Sequence, residues 1–257
     1  MANEKDKKPV QKEESKKTHQ KKVDSVKKMT ENIESMRRKV RSDMKSDDEK
    51  LQLVALAVAV MDKTSERVGN EDSASDGHFG VTGFRCKHVE ISGSKVTLSY
   101  TGKSGVEHEK EFSDAAIAKL LKKCKDRCSK GEDDLFVTSD GFKLKADKVN
   151  RYLEDFEVTA KDIRGYSVNK LVVDALRRVK VEKDEKERKK QFLDVLRSVA
   201  EKVGHNMPTL RKYYLMTWIE EGYLKDGSLK DVKTSSLTLE DVRRIASRVA
   251  LDMRGDL

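Results

Sequence analysis

The stretch VTGFRCKHVEISGSKVTLSYTGKSGVEHEKEF (residues 81–112) contains three short runs in which β-branched or aromatic residues alternate with polar ones. The runs are separated by SGS at 92–94 and TGKSG at 101–105, which are turn-forming sequences. This pattern predicts a three-stranded antiparallel meander. After the meander the apolar residues recur at steps of three and four, which is typical of helices. We therefore expect a mainly α fold with one small three-stranded antiparallel sheet.

The composition changes twice along the chain. Residues 1–30 are rich in lysine and almost free of apolar residues, so we predict a disordered basic tail there. Residues 31–225 contain the meander and most of the helical pattern, and we expect them to form one folded domain. Residues 226–257 are predicted to be a helical extension, with a last helix near 238–254.

The charge balance points to a polyanionic partner. Charged residues make up 39% of the 257-residue chain, and the formal net charge is +9. Nucleic acid is the favoured partner, and an acidic membrane surface is the alternative. The most apolar run, LVALAVAVM at 53–61, is about half as long as a bilayer-spanning helix and predicts a buried helix instead. No secretory signal is apparent, so we expect an intracellular protein that does not act on membranes.

The sequence gives no indication of a metal or cofactor site. Cys86, Cys124 and Cys128 are odd in number and lack metal-ligand spacing, so we expect reduced structural thiols. The sequence GKS at 102–104 lacks the upstream glycine of a phosphate-binding loop and precedes a strand, not a helix. We therefore predict that neither a metal nor a nucleotide cofactor is bound.

The segment VGHNMPTLRKYYLMTW (203–218) combines a histidine, a proline and two tyrosines. In one straight helix His205 and Tyr214 would lie about 13 Å apart, too far to share a phosphate. Pro208 breaks such a helix and suits the first turn of a new one, so the two side chains can meet. Basic groups around a tyrosine hydroxyl could then support its attack on a phosphodiester. The alternative is a buried histidine, a core tyrosine and solvated basic residues.

Five blocks of sequence, taken in order, resemble the catalytic domain of type IB DNA topoisomerases of the poxvirus and bacterial kind. The blocks are RVGNE (67–71), GVTGFRCKHVEI (80–91), TGKSGVEH (101–108), KDIRGYSVN (161–169) and VGHNMPTLRKYY (203–214). The resemblance covers about residues 37–225. It implies the catalytic-domain fold that these enzymes share with tyrosine recombinases, and it makes 31–225 the catalytic domain.

The resemblance also implies five catalytic residues. Matched to the family's motifs, they are the two arginines Arg67 and Arg164, the hairpin lysine Lys103, the phosphate-binding His205 and the nucleophile Tyr214. The implied reaction is the relaxation of supercoiled double-stranded DNA by single-strand cleavage, a 3′-phosphotyrosyl intermediate and religation. The implied reaction requires neither ATP nor a metal, and Lys103 is its general acid.

Two other functions fit the same sequence. Tyrosine recombinases, or integrases, share the fold but usually carry a histidine three residues before the second arginine, where this chain has Lys161. A non-catalytic DNA-binding protein could also use the same fold. Members of the family usually have an N-terminal β domain that closes over the duplex. Either a protein partner completes that clamp here, or the enzyme works with one open face and a salt-sensitive grip on DNA.

Overall fold

The computed structural model describes residues 7–229, with side chains from residue 21 onward apart from that of Ser104. The helix predicted near 238–254 and most of the extension predicted for 226–257 lie outside the described residues. The described helices are α1 (Lys7–Asp43), α2 (Glu49–Thr64), α3 (Glu71–Ser75), α4 (Ala115–Lys125), α5 (Ala146–Glu154), α6 (Ala160–Leu176), α7 (Glu185–Lys202), α8 (Met207–Tyr213) and α9 (Thr217–Asp226). The strands are β1 (Val89–Ser92), β2 (Lys95–Thr101) and β3 (Glu107–Ser113). No helix in this described range is long and apolar enough to cross a bilayer.

Helix α1 occupies most of the segment that the composition predicts to be disordered. Val26 and Met29 are buried in the core, and the same three- and four-residue spacing of apolar positions continues to Val40. This apolar stripe packs against α2 and α6. The structure thus has a helix where a disordered tail is predicted, and the boundary predicted at residue 30 falls inside that helix.

Helix α2 lies at the centre of the core and leads directly into the candidate site. The Asp48 side chain caps its N-terminus by accepting hydrogen bonds from two backbone N–H groups of the first turn. The helix is apolar on nearly every side and packs against α1, α4, α5 and α6. It ends at Ser65, which has a left-handed conformation with φ of 58°. The chain turns there, so Glu66 and Arg67 emerge from the end of a rigid, buried helix.

The sheet has the order β1-β2-β3 and is antiparallel throughout. Val96, Leu98 and Tyr100 of β2 are buried and alternate with polar residues, as expected for a strand with one face on the core. Leu98 lies opposite Lys110, and Tyr100 lies opposite His108 on β3. The predicted mainly α fold with one small three-stranded antiparallel sheet is confirmed.

The cysteines differ from the sequence-based prediction. Cys86 and Cys128 form a disulfide with a Cα–Cα distance of 6.5 Å, and Cys124 is a buried free thiol. The prediction of reduced thiols is therefore wrong for two of the three. The bonded pair is 42 residues apart in sequence. Because the contact depends on how the turn before β1 packs against the end of α4, local spacing could not reveal it.

Candidate active site

Arg67 lies in an extended segment that is held by the chain around Gly80. The backbone N–H of Val81 donates to the Arg67 carbonyl at 2.9 Å, and that of Thr82 donates to the Val68 carbonyl at 2.8 Å. The two backbones approach so closely that a Cβ on Gly80 would lie 2.5 Å from a neighbouring backbone nitrogen. The position of Arg67 is thus set by paired backbone segments on the end of α2.

Lys103 lies in the turn between β2 and β3. The turn is closed by a hydrogen bond of 2.7 Å from the Gly102 N–H to the Val106 carbonyl. The Lys103 side chain is exposed and lines the same clefts as Arg67 and Tyr214. The hairpin predicted from the sequence therefore carries this lysine to the surface where the other basic groups lie.

Arg164 projects from α6 and is only 1% exposed. Its Nη2 donates a hydrogen bond to the Val203 carbonyl, whereas its Nε and Nη1 have no hydrogen-bond partner within the described part of the chain. Burial lowers the pKa of this guanidinium, and the nearby Glu66 carboxylate opposes that shift. Buried donors are nearly always paired in proteins, so these two nitrogens indicate a place for an anion.

His205 lies in the short connection between α7 and α8. Its backbone N–H donates to the Ala200 carbonyl at 2.8 Å, and its ring Nδ1 lies 3.4 Å from Nη2 of Arg67. A guanidinium can only donate, so Nδ1 must accept and the ring proton must be on Nε2. That buried Nε2 has no partner among the described residues. Burial first, and then the charges of Arg164 and Arg67, lower the pKa of His205 to about 3.

The connection before His205 has room only for a glycine. Gly204 has a φ of 65°, and a Cβ built on it would lie 1.7 Å from the His108 ring. Any side chain at this position would therefore push the histidine-bearing connection away from β3. The contact fixes the distance between the sheet and the start of α8.

Tyr214 follows directly after the last residue of α8. The helix break predicted at Pro208 is present, because α7 ends at Lys202 and α8 begins at Met207. The Asn206 side chain caps α8 by accepting from the Thr209 backbone N–H. The break turns the chain, so the ring centroids of His205 and Tyr214 lie 5.0 Å apart.

Two adjoining clefts bring the five predicted residues to one surface. Arg67, Lys103 and Tyr214 line both clefts, His205 lines one and Arg164 lines the other. The surface thus combines a half-buried phenol, buried unpaired donors and an exposed ammonium. Such a surface suits a phosphodiester, because its negative oxygens would satisfy the unpaired donors.

A family comparison covers the whole region that contains these residues. Residues 11–221 match the family described as eukaryotic DNA topoisomerase I, catalytic core. The chain belongs to the DNA topoisomerase I family. The type IB resemblance predicted from the five sequence blocks is confirmed at this level.

Curated viral topoisomerases are similar to the same region. The chain is 27% identical over 192 residues to DNA topoisomerase 1B of Acanthamoeba polyphaga mimivirus, a match that covers 68% of this chain and 55% of the relative. It is 31% identical over 156 residues to DNA topoisomerase 1B of vaccinia virus strain Copenhagen, covering 60% of this chain and 47% of the relative. The chain thus spans about half the length of the curated relatives it matches.

A more distant similarity is found among solved structures. The XerH site-specific recombinase in its post-cleavage complex with a palindromic difH substrate aligns with a TM-score of 0.48 and 16% identity. The alignment covers 74% of this chain and 50% of the recombinase. A similarity this distant does not bear on the function of the present topoisomerase family member.

Asn169 is a residue of the candidate site in this topoisomerase I family member that the sequence analysis missed. Its Nδ2 donates to the carbonyls of Tyr214 at 2.9 Å and Gly165 at 2.7 Å, and its Oδ1 accepts from the Met216 N–H at 2.8 Å. Asn169 therefore holds the backbone on both sides of Leu215. A signal was present, since Asn169 follows Arg164 on α6 within the block KDIRGYSVN.

A buried ion pair lies behind the two arginines. Glu66 and Lys110 form it with side-chain exposures of 2% and 11%, and Lys110 also donates to the Thr64 carbonyl at 3.0 Å. Burial raises the pKa of Glu66, but the charges of Lys110 and Arg164 outweigh it and bring that pKa to about 2. The site thus has one buried carboxylate that offsets part of the positive charge of Arg164.

We expect acid to destabilise this family member through His205. Its folded-state pKa of about 3 is below the value of about 6.5 for a free imidazole. Between those pH values the unfolded chain binds a proton that the folded chain does not, so stability falls as the pH falls below about 6.5. Urea unfolding at pH 7 and pH 5 should show a smaller acid loss in His205→Asn than in the wild type. Equal losses in the two proteins would show that His205 does not contribute.

Proposed function

We propose that this protein is a type IB DNA topoisomerase that relaxes supercoiled double-stranded DNA through a transient 3′-phosphotyrosyl link. One observation carries the proposal: Arg164 Nε, Arg164 Nη1 and His205 Nε2 are buried without partners among the described residues, beside the Tyr214 ring. Groups of this kind are stabilising when charge develops on the oxygens of a transferring phosphoryl group. Membership of the topoisomerase I family supports the same reaction.

The proposed cleavage step is a transesterification. The Oη of Tyr214 attacks the scissile phosphorus, its proton passes to solvent, and an O–P bond forms while the P–O5′ bond breaks. Lys103 gives a proton to the departing 5′-oxygen, a contribution worth typically about 10²–10⁴-fold. Religation is the reverse, with the 5′-hydroxyl as nucleophile and Tyr214 as leaving group.

Three groups hold the phosphate in the proposed transition state. Arg67 and Arg164 donate charged hydrogen bonds to the non-bridging oxygens, and His205 donates through its neutral Nε2–H. The hydrogen bond geometry between Arg67 and His205 supports this role, because it fixes the imidazole tautomer that presents an N–H. The phosphotyrosyl diester retains the energy of the broken bond, so the proposed cycle needs no nucleotide hydrolysis.

Double-stranded DNA is the proposed partner. The net charge of +9 favours contacts with backbone phosphates, which position a duplex without reading its sequence. We therefore expect weak sequence preference at the cleavage site and an affinity that falls steeply with salt. A protein partner that covers the opposite face of the duplex would make the grip less sensitive to salt.

Plasmid relaxation tests this function. The wild-type protein is mixed with negatively supercoiled plasmid in EDTA without ATP, at low and moderate salt, and samples are stopped with detergent to trap covalent adducts. We expect a ladder of relaxed topoisomers and a protein linked to the 3′ end of the cut strand. Binding without nicking at either salt concentration would favour a non-catalytic DNA-binding protein, and joined products from two duplexes would favour a recombinase.

A further inference from the structure

The Lys22 side chain of helix α1 contacts residues 212–215, which include the candidate nucleophile Tyr214 and which we call the nucleophile segment. Nζ of Lys22 lies 3.0 Å from the Lys212 carbonyl oxygen and 3.2 Å from the Leu215 carbonyl oxygen, and donates to both. The two carbonyls flank Tyr213 and Tyr214. Helix α1 therefore contacts the backbone that carries the candidate nucleophile.

The backbone at this point needs an external donor. Helix α8 has only seven residues and ends at Tyr213. The carbonyls of a last helical turn have no N–H partner within the helix, and a lysine there is favoured by both hydrogen bonding and the helix dipole. The N–H groups of Tyr214 and Leu215 both donate to the Leu210 carbonyl at 3.0 Å, so the chain leaves the helix in a tight turn. Lys22 supplies the donors that this turn lacks.

The nucleophile segment is thus held from two sides. Asn169 of α6 binds the Tyr214 carbonyl and the Met216 N–H, and Lys22 of α1 binds the carbonyls of Lys212 and Leu215. The Tyr214 side chain is free to reach the clefts while its backbone is fixed. Errors of about 1 Å in the placement of a reacting group can cost about a hundredfold in rate.

We propose that Lys22 is a positioning residue, which holds the backbone around Tyr214 so that its Oη is placed for attack on the phosphate. This role rests on the proposed function. Lys22 acts through the backbone of residues 212–215 and does not contact DNA. It makes α1 part of the apparatus that sets the rate of strand cleavage.

A single-turnover cleavage experiment on the whole chain tests the role. Lys22→Met removes the ammonium while keeping most of the side-chain length, Lys22→Arg keeps a cationic donor, and Lys21→Met is the matched control at the exposed neighbouring position. On saturating linear duplex, Lys22→Met should form the covalent adduct about tenfold to a hundredfold more slowly than Lys21→Met. Lys22→Arg should recover to within about threefold of the wild type, because a guanidinium can donate to both carbonyls.

DNA affinity separates positioning from phosphate binding. We expect Lys22→Met and Lys21→Met to have the same dissociation constant and the same dependence of affinity on salt. A phosphate contact would instead weaken DNA binding and reduce the salt slope by about one in Lys22→Met alone. That result, or a cleavage rate equal to that of Lys21→Met, would overturn the proposal.

Hydrogen exchange tests the contact without any reaction. In the DNA-free protein, the backbone amides of Leu215 and Met216 should exchange about tenfold faster in Lys22→Met than in Lys21→Met, because the segment opens more often. Unchanged exchange would overturn the proposal whatever the protein does to DNA. If the wild type fails to cleave DNA but the exchange still rises, the proposed function falls while the holding contact from Lys22 stands.

Discussion

Tyr214→Phe should abolish plasmid relaxation and adduct formation, a loss of more than about 10⁴-fold, while leaving DNA binding unchanged. The substitution removes only the Oη that would form the bond to phosphorus. The ring that lies 5.0 Å from His205 is kept, and no charge is lost, so both folding and phosphate binding should persist. The measurement is the initial rate of relaxation, with detergent-trapped adduct and DNA affinity determined on the same preparation.

Tyr213→Phe is the matched control for that experiment. Tyr213 is 44% exposed and its ring lies 5.1 Å from the Lys212 ammonium, so it is anchored less firmly than Tyr214. Its relaxation rate should stay within about threefold of the wild type, as is usual for exposed positions without a reacting group. Adduct formed by Tyr214→Phe, with the modified peptide containing Tyr213, would reassign the nucleophile.

Glu66→Gln should be the most destabilising single substitution in the buried charged cluster formed by Glu66, Lys110 and Arg164. It leaves two cations, Lys110 and Arg164, close together in the interior without their carboxylate. Breaking a buried ion pair from one side costs about 3–5 kcal/mol of unfolding free energy. Urea unfolding at pH 7 measures this loss.

Lys110→Met removes the other partner of the ion pair and is the variant to compare with Glu66→Gln. In this variant Glu66 loses its ion-pair partner but keeps the attraction of the nearby Arg164 charge and the hydrogen bond from the Arg67 backbone N–H, so its carboxylate stays partly compensated. We therefore expect Lys110→Met to lose less stability than Glu66→Gln, by at least about 1 kcal/mol. Equal losses of unfolding free energy would contradict the claim that Glu66 offsets part of the charge of Arg164.

Local sequence patterns predict the sheet and the break at Pro208, because both depend on neighbouring residues. The resemblance in motif order predicts that five residues lie at one surface, namely Arg67, Lys103, Arg164, His205 and Tyr214. Their catalytic roles stay predictions. Contacts between segments that are far apart in sequence cannot be predicted from local patterns or motif order. Lys22 lies among many other lysines, and only the packing of α1 on α6 brings it to α8. The Cys86–Cys128 bond and the charge balance of Glu66 are likewise properties of tertiary contacts.

The position of α1 has a consequence for synthesis on the ribosome. Helix α1 precedes all of its partners in the chain: its apolar stripe packs against α2, which follows at once, and against α6, and Lys22 has its acceptors at residues 212 and 215. At about 5–20 residues per second, α1 waits on the order of ten seconds for α6 and for the acceptors of Lys22. The part of the apolar stripe that α6 covers is therefore open to chaperones during elongation. The nascent chain also cannot fix the backbone of residues 212–215 before nearly all of the described domain has emerged.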